Sequence, residues 1–143
     1  MRIEALILIL TLAAHPGAAT EDGPGSSASL DRHLFPPELI MRHFEAIGLD
    51  AAQRHALKEA ILSAQARFLD LQWQQQAELG KLLGLLRAHP VDEKKALAQM
   101  TVLLDVESKI KLLHFELLLK IKNQLTPEQQ GKLTRLRVQI PSP

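Results

Sequence analysis

A short pattern, L-[D/T]-x-x-Q-x-x-x-L, occurs twice in this chain and constrains its fold more than any bulk property does. The first copy is Leu49-Asp50-Ala51-Ala52-Gln53 with Leu57, and the second is Leu125-Thr126-Pro127-Glu128-Gln129 with Leu133. Asp or Thr at a helix start offers its side-chain oxygen to a free amide of the first turn. A Gln three residues on can reach back to the amide of the cap residue itself, and the two contacts together make a capping box. Pro127 falls at the first helical position, where its missing N–H costs nothing and its fixed φ suits the turn. The leucine before each cap is expected to staple onto the first turn. Helices therefore begin at Asp50 and Thr126.

Glycine and proline sit largely where a helical reading needs them. Pro36-Pro37 opens a short helix that runs to about Ile47, with Gly48 as its stop signal. A second helix starts at Asp50 and meets no breaker before His89-Pro90, although Gly80 and Gly84 lie inside it and suggest a bend or a close helix contact. Asp92 caps a third helix reaching about Gln124, and the fourth runs from Thr126 to about Gln139. No segment alternates as a half-buried strand does. The expected class is all-α: a long antiparallel hairpin with a short helix at each end, four helices in total.

Apolar residues follow the same plan. Leu57, Ile61, Ala64, Phe68 and Leu71 recur at spacings of four and three on the second helix, as do Leu103, Val106, Ile110, Leu113 and Leu117 on the third. Two such stripes joined by a short turn pack against each other. The third helix carries a further line, Leu104, Leu112, Phe115 and Leu119, with Leu118 beside it. A helix that is apolar on two faces needs a second partner: the short helices, another subunit or a client. Asp105 with Lys109, Glu107 with Lys111 and Glu116 with Lys120 are spaced for surface ion pairs, and Lys109, Lys111, Lys120 and Lys122 are expected to rim this apolar surface. Trp73, the single tryptophan, lies in the polar run Gln72-Trp73-Gln74-Gln75-Gln76, where a packing anchor and a recognition residue are equally reasonable.

The first residues, Met1-Arg2-Ile3-Glu4, lead into an apolar run from Ala5 to Ala14 and a small-residue exit at Gly17-Ala18-Ala19. These are the parts of a secretory signal peptide, 1–19, with cleavage expected after Ala19 and an uncleaved anchor as the alternative. Residues 20–34 read as a loosely attached tail, 35–139 as one helical domain and 140–143 as a C-terminal tail. No cysteine is present, which excludes disulfides, thiol catalysis and cysteine metal sites. A net charge of +1 offers no general attraction to nucleic acid.

Catalytic constellations are absent from the sequence. Only Ser63 and Ser108 lie on the long helices, no phosphate-binding glycine loop or zinc-protease motif occurs, and each carboxylate has a base at helical spacing. Histidine, together with carboxylate, binds transition metals. Neither His43 nor His114 has a second histidine four residues away, so no metal or cofactor is expected. An inter-helix site built from His43, Glu59 and His114 is the alternative, with zinc, nickel, cobalt or copper as the ion.

Paired L-T-x-x-Q motifs around a helical hairpin, behind an export signal, resemble the Spy/CpxP family and its relatives among periplasmic heavy-metal sensors. The motif residues are Leu49, Asp50, Gln53, Leu125, Thr126 and Gln129. The first copy departs from the family pattern in having Asp for Thr, and His114 is followed four residues later by Leu118 where the sensors have methionine. The resemblance implies a non-enzymatic periplasmic stress protein, a curved homodimer that acts as an ATP-independent chaperone or modulates a sensor kinase. Its partners would be unfolded envelope proteins or the periplasmic domain of a membrane sensor. Phe68, Trp73, Leu112, Phe115 and Leu119 are the residues expected on its client or dimer surface. A metal-responsive sensor is the alternative function.

Overall fold

The computed structural model describes Leu30 and residues 32–138; the expected signal peptide and the C-terminal tail lie outside these residues. Among the described residues the chain forms four helices and no strand: α1 (Pro37–His43), α2 (Ala51–Leu86), α3 (Glu93–Gln124) and α4 (Pro127–Val138). The 36 residues of α2 and 32 of α3 make rods of about 54 and 48 Å, packed against each other as a hairpin. Asp92 caps α3 by accepting from the Lys95 amide. The short helices α1 and α4 meet at the open end, opposite the turn.

Both capping boxes form. Gln53 N donates to Asp50 Oδ1 (2.7 Å) and Asp50 N to Gln53 Oε1 (3.2 Å); Gln129 N donates to Thr126 Oγ1 (3.2 Å) and Thr126 N to Gln129 Oε1 (2.9 Å). Beyond what the sequence shows, the two glutamines also bind each other. Gln53 Nε2 donates to Gln129 Oε1 (2.8 Å) and Gln129 Nε2 to Gln53 Oε1 (2.9 Å). The remaining amide protons go to the loop preceding the other helix, from Gln53 to the Gln124 carbonyl (2.7 Å) and from Gln129 to the Gly48 carbonyl (3.2 Å). Each side-chain amide thus uses two donors and two acceptors, its full capacity.

Around this polar link lies the core. Phe35, Leu39, Ile40, Ile47, Leu57, Ile121, Leu125 and Leu133 are buried together, with Leu49, Leu117 and Leu136 packed at the edge. The expected staples do not form, because the positions a staple requires are Arg54 and Gln130; Leu49 and Leu125 turn instead into the shared core. The chain reverses from α1 into α2 through Gly48, whose φ of +68° is left-handed and suits glycine. Among the described residues nothing approaches Gly80 or Gly84 closely, so of the bend or close helix contact expected there the contact does not occur.

The expected tail boundary at residue 34 also needs correction. Leu34 is buried, and the segment is strapped down by basic residues: Lys122 Nζ donates to the His33 carbonyl (2.7 Å), and the Arg137 guanidinium donates to the Leu34 carbonyl while lying 5.3 Å over the Phe35 ring.

Gln129→Ala leaves the Thr126 amide, the Gly48 carbonyl and Gln53 short of partners in a part-buried site, and is expected to destabilise the fold by about 2–4 kcal/mol. Urea unfolding of this variant, of Gln53→Ala and of the double variant should show a double cost well below the sum of the singles, since either change breaks the same link.

Candidate binding surface

Away from the open end the hairpin is only two helices thick, and α2 has a single fully buried residue, Leu57. Leu103, Val106 and Leu113 of α3 are buried in the seam, with Ile61, Ala64, Phe68, Leu71, Leu79 and Leu82 half-buried opposite. Phe68, expected on a client surface, is therefore a seam residue. Toward the turn the seam becomes polar. Gln99 Nε2 donates to the Glu78 carboxylate (2.7 Å) and to the Glu78 carbonyl (3.1 Å), and Lys81 Nζ donates to the same carboxylate (2.8 Å). Gln75 reaches Glu107 at 3.5 Å, and Arg67 bridges to Glu116 at 3.2 Å. A polar layer inside an apolar seam favours one register, because any slip leaves its members unpaired.

The second apolar line of α3 is where the structure departs most from a closed bundle. Leu118 is buried, but Leu104, Leu112, Phe115 and Leu119 are exposed, Leu112 at 66%. Leu97 (69%) and Met100 extend the line toward the turn at spacings of three and four. Helices α1 and α4 therefore leave this row uncovered. Trp73 is 71% exposed on α2, so it anchors no packing among the described residues.

The expected lysine rim is mostly consumed. Lys109 pairs with Asp105 (2.6 Å) and Lys120 with Glu116 (2.8 Å), Lys122 holds the His33 carbonyl, and Glu107 takes Gln75 rather than Lys111 as its partner. Positive charge gathers elsewhere. A shallow groove of about 470 Å³ between α1 and the start of α2 is lined by Ile40, Met41, Phe44 and Leu57, with Arg54 and Lys58 on its edge. Sequence reasoning missed it, since it arises from the docking of α1 and no stripe on one helix marks it.

The residues of the alternative metal site are not brought together. Among the described residues no three histidine or carboxylate side chains form a group able to hold an ion, and Glu59 and His114 are exposed. His43 Nε2 is buried and has neither a hydrogen-bond partner nor a second ligand beside it among the described residues.

The sequence model of the heavy-metal resistance family matches residues 5–132. The chain belongs to that family. Its relatives are Spy/CpxP-like helical proteins, in keeping with the doubled motif and the hairpin. No curated protein and no solved structure matches the chain. The family's description does not find a matching donor set here: the described residues supply single histidines, not a cluster.

Hydrogen bonds from Lys81 and then Gln99 hold the Glu78 carboxyl below its ordinary pKa, and those from Lys120 and Arg67 do the same for Glu116. A carboxyl with a lowered folded-state pKa stabilises the fold above the unfolded value and loses that contribution as pH falls through the folded value. Thermal midpoints are thus expected to fall as the buffer passes below roughly pH 4.3, the ordinary glutamate value. Glu78→Gln should flatten part of this acid dependence; an unchanged profile removes Glu78 from the account.

Proposed function

We propose that this member of the heavy-metal resistance family is a non-enzymatic periplasmic protein that captures unfolded polypeptides on the outer face of α3. The observation that carries this reading is the uncovered row Leu97, Met100, Leu104, Leu112, Phe115 and Leu119, on the side of α3 opposite its seam with α2. Contiguous exposed apolar surface of this kind usually marks an interaction site. The row is long and shallow, which suits extended segments of varied sequence and leaves a bound client room to fold. The groove beside α1, with Arg54 and Lys58 at its edge, offers a second apolar foothold and a positive charge to speed encounter. Export by the N-terminal segment supports a periplasmic setting, where no ATP is available to drive release, so capture must be reversible by affinity alone.

Equimolar protein is expected to suppress aggregation of a chemically unfolded client, measured by light scattering. Because Leu112 and Phe115 are exposed, Leu112→Ser/Phe115→Ser should leave helicity intact while weakening client binding about tenfold or more, given roughly 1.5–3 kcal/mol for a fully buried large apolar side chain. Suppression that survives this double change, or wild-type protein that fails to suppress, rejects the proposal.

The family's description favours one other reading, a metal-responsive sensor. It predicts that zinc, nickel, cobalt or copper raises the thermal midpoint, as any ligand of the native state does. The donor set described above leads us to expect no shift. A metal-specific rise lost in both His43→Ala and His114→Ala moves the assignment to sensing.

A further inference from the structure

The groove beside α1 is built differently from the open row on α3. The buried Ile40 and Leu57 lie at its base, the exposed Met41 and Phe44 belong to its α1 side, and Ile61 and Leu62 continue it along α2. From Arg54 to Gln65 the lining follows α2 for roughly 16 Å. Its volume of about 470 Å³ falls within the roughly 300–1,000 Å³ of sites that hold one small molecule.

Two cations on the rim are left without a counter-charge. Arg54 and Lys58 stand four residues apart on α2, a spacing at which like charges repel. Asp50, four residues before Arg54, has its carboxylate engaged by the Gln53 amide, and the residue four beyond Lys58 is Leu62. Neither cation makes an ion pair among the described residues. An apolar recess edged by two unpaired cations fits a ligand with an apolar body and an anionic end.

We propose that the groove binds a single-chain anionic amphiphile, a free fatty acid, with its carboxylate at Arg54 and Lys58 and its alkyl chain along Leu57 and Ile61, between Met41 and Leu62. The lining decides between this ligand and a peptide. Gln65 is its one neutral polar side chain, so a peptide laid in the groove finds few partners for its main-chain amides, whereas an alkyl chain brings no polar group to strand. The lining is also recessed between two helices, unlike the projecting apolar face that inserts into a bilayer, which favours the free acid over a membrane surface. Met41, unbranched and flexible, lets the α1 side adapt to the chain it covers. The groove is separate from the α3 row, and the inference stands whether or not that row captures clients.

Dodecanoate, kept below its micelle-forming concentration, is the probe. Titrated by calorimetry into protein purified after expression of the full chain, it should bind saturably, one molecule per chain. Dodecyltrimethylammonium, with the same tail and a cationic head, should bind more weakly by about tenfold or more. Arg54→Glu/Lys58→Glu should weaken dodecanoate binding by about tenfold or more with helicity unchanged, because both side chains are exposed. Leu62→Asp, also at an exposed position, should weaken it too, while Leu112→Ser/Phe115→Ser should leave it as it is. The proposal is overturned if dodecanoate does not saturate, if the two head groups bind equally, or if binding survives the charge reversal. It is equally overturned if binding disappears with the α3 double change, or if anionic phospholipid vesicles or an acidic peptide bind in preference to dodecanoate.

Discussion

The reciprocal amide pair of Gln53 and Gln129 is the contact on which the rest of the structure depends. One side chain caps its own helix, grips its counterpart and holds the loop that leads into the other helix. The starts of α2 and α4 are therefore fixed relative to each other, and through α4 the end of α3 is fixed as well. Because every donor and acceptor of both amides is used, shifting either helix by one residue breaks several hydrogen bonds at once in a part-buried site, and no single replacement bond restores them.

That link places the apolar mass at one end. Leu57 and Leu133, the final residues of the two motif copies, meet Phe35, Ile40, Ile47 and Ile121 around it, and basic residues of α3 and α4 strap the preceding segment over them. With the core gathered there, the remaining turns of α2 and α3 have only each other among the described residues. A two-helix rod has one seam and two open sides, so outward apolar residues stay exposed unless something else arrives. The polar layer of Glu78 and Gln99 holds that thin rod in register where its apolar seam is weakest. The buried core and the exposed apolar surface thus occupy different parts of the same hairpin.

The surface was only partly legible in the sequence. The outer line of α3 was visible because leucine and phenylalanine at helical spacing announce a face. Whether the short helices covered it depended on where α1 and α4 dock, which no periodicity records. Phe68 fell on the seam because its heptad position belongs with Leu57 and Leu71, whereas Trp73 lies on the opposite side of the same helix. Lysines expected as a free rim were drawn to acids four residues earlier or to a main-chain carbonyl of the N-terminal segment. The groove beside α1 is formed by parts distant along the chain and left no local mark.

By itself the sequence determined the elements: four helices, their caps at Asp50, Asp92 and Thr126, the reversal at Gly48 and the inward stripes of the hairpin. These follow from local rules, since caps, glycine conformation and a period near 3.6 act within a few residues. Tertiary structure decided what those elements do to one another. It joined two separate capping glutamines into one link across the chain, and it kept His43, Glu59 and His114 from forming a ligand set. It left the outer faces of α2 and α3 exposed. Such outcomes depend on distances between segments far apart in sequence, and those distances exist only once the helices have packed.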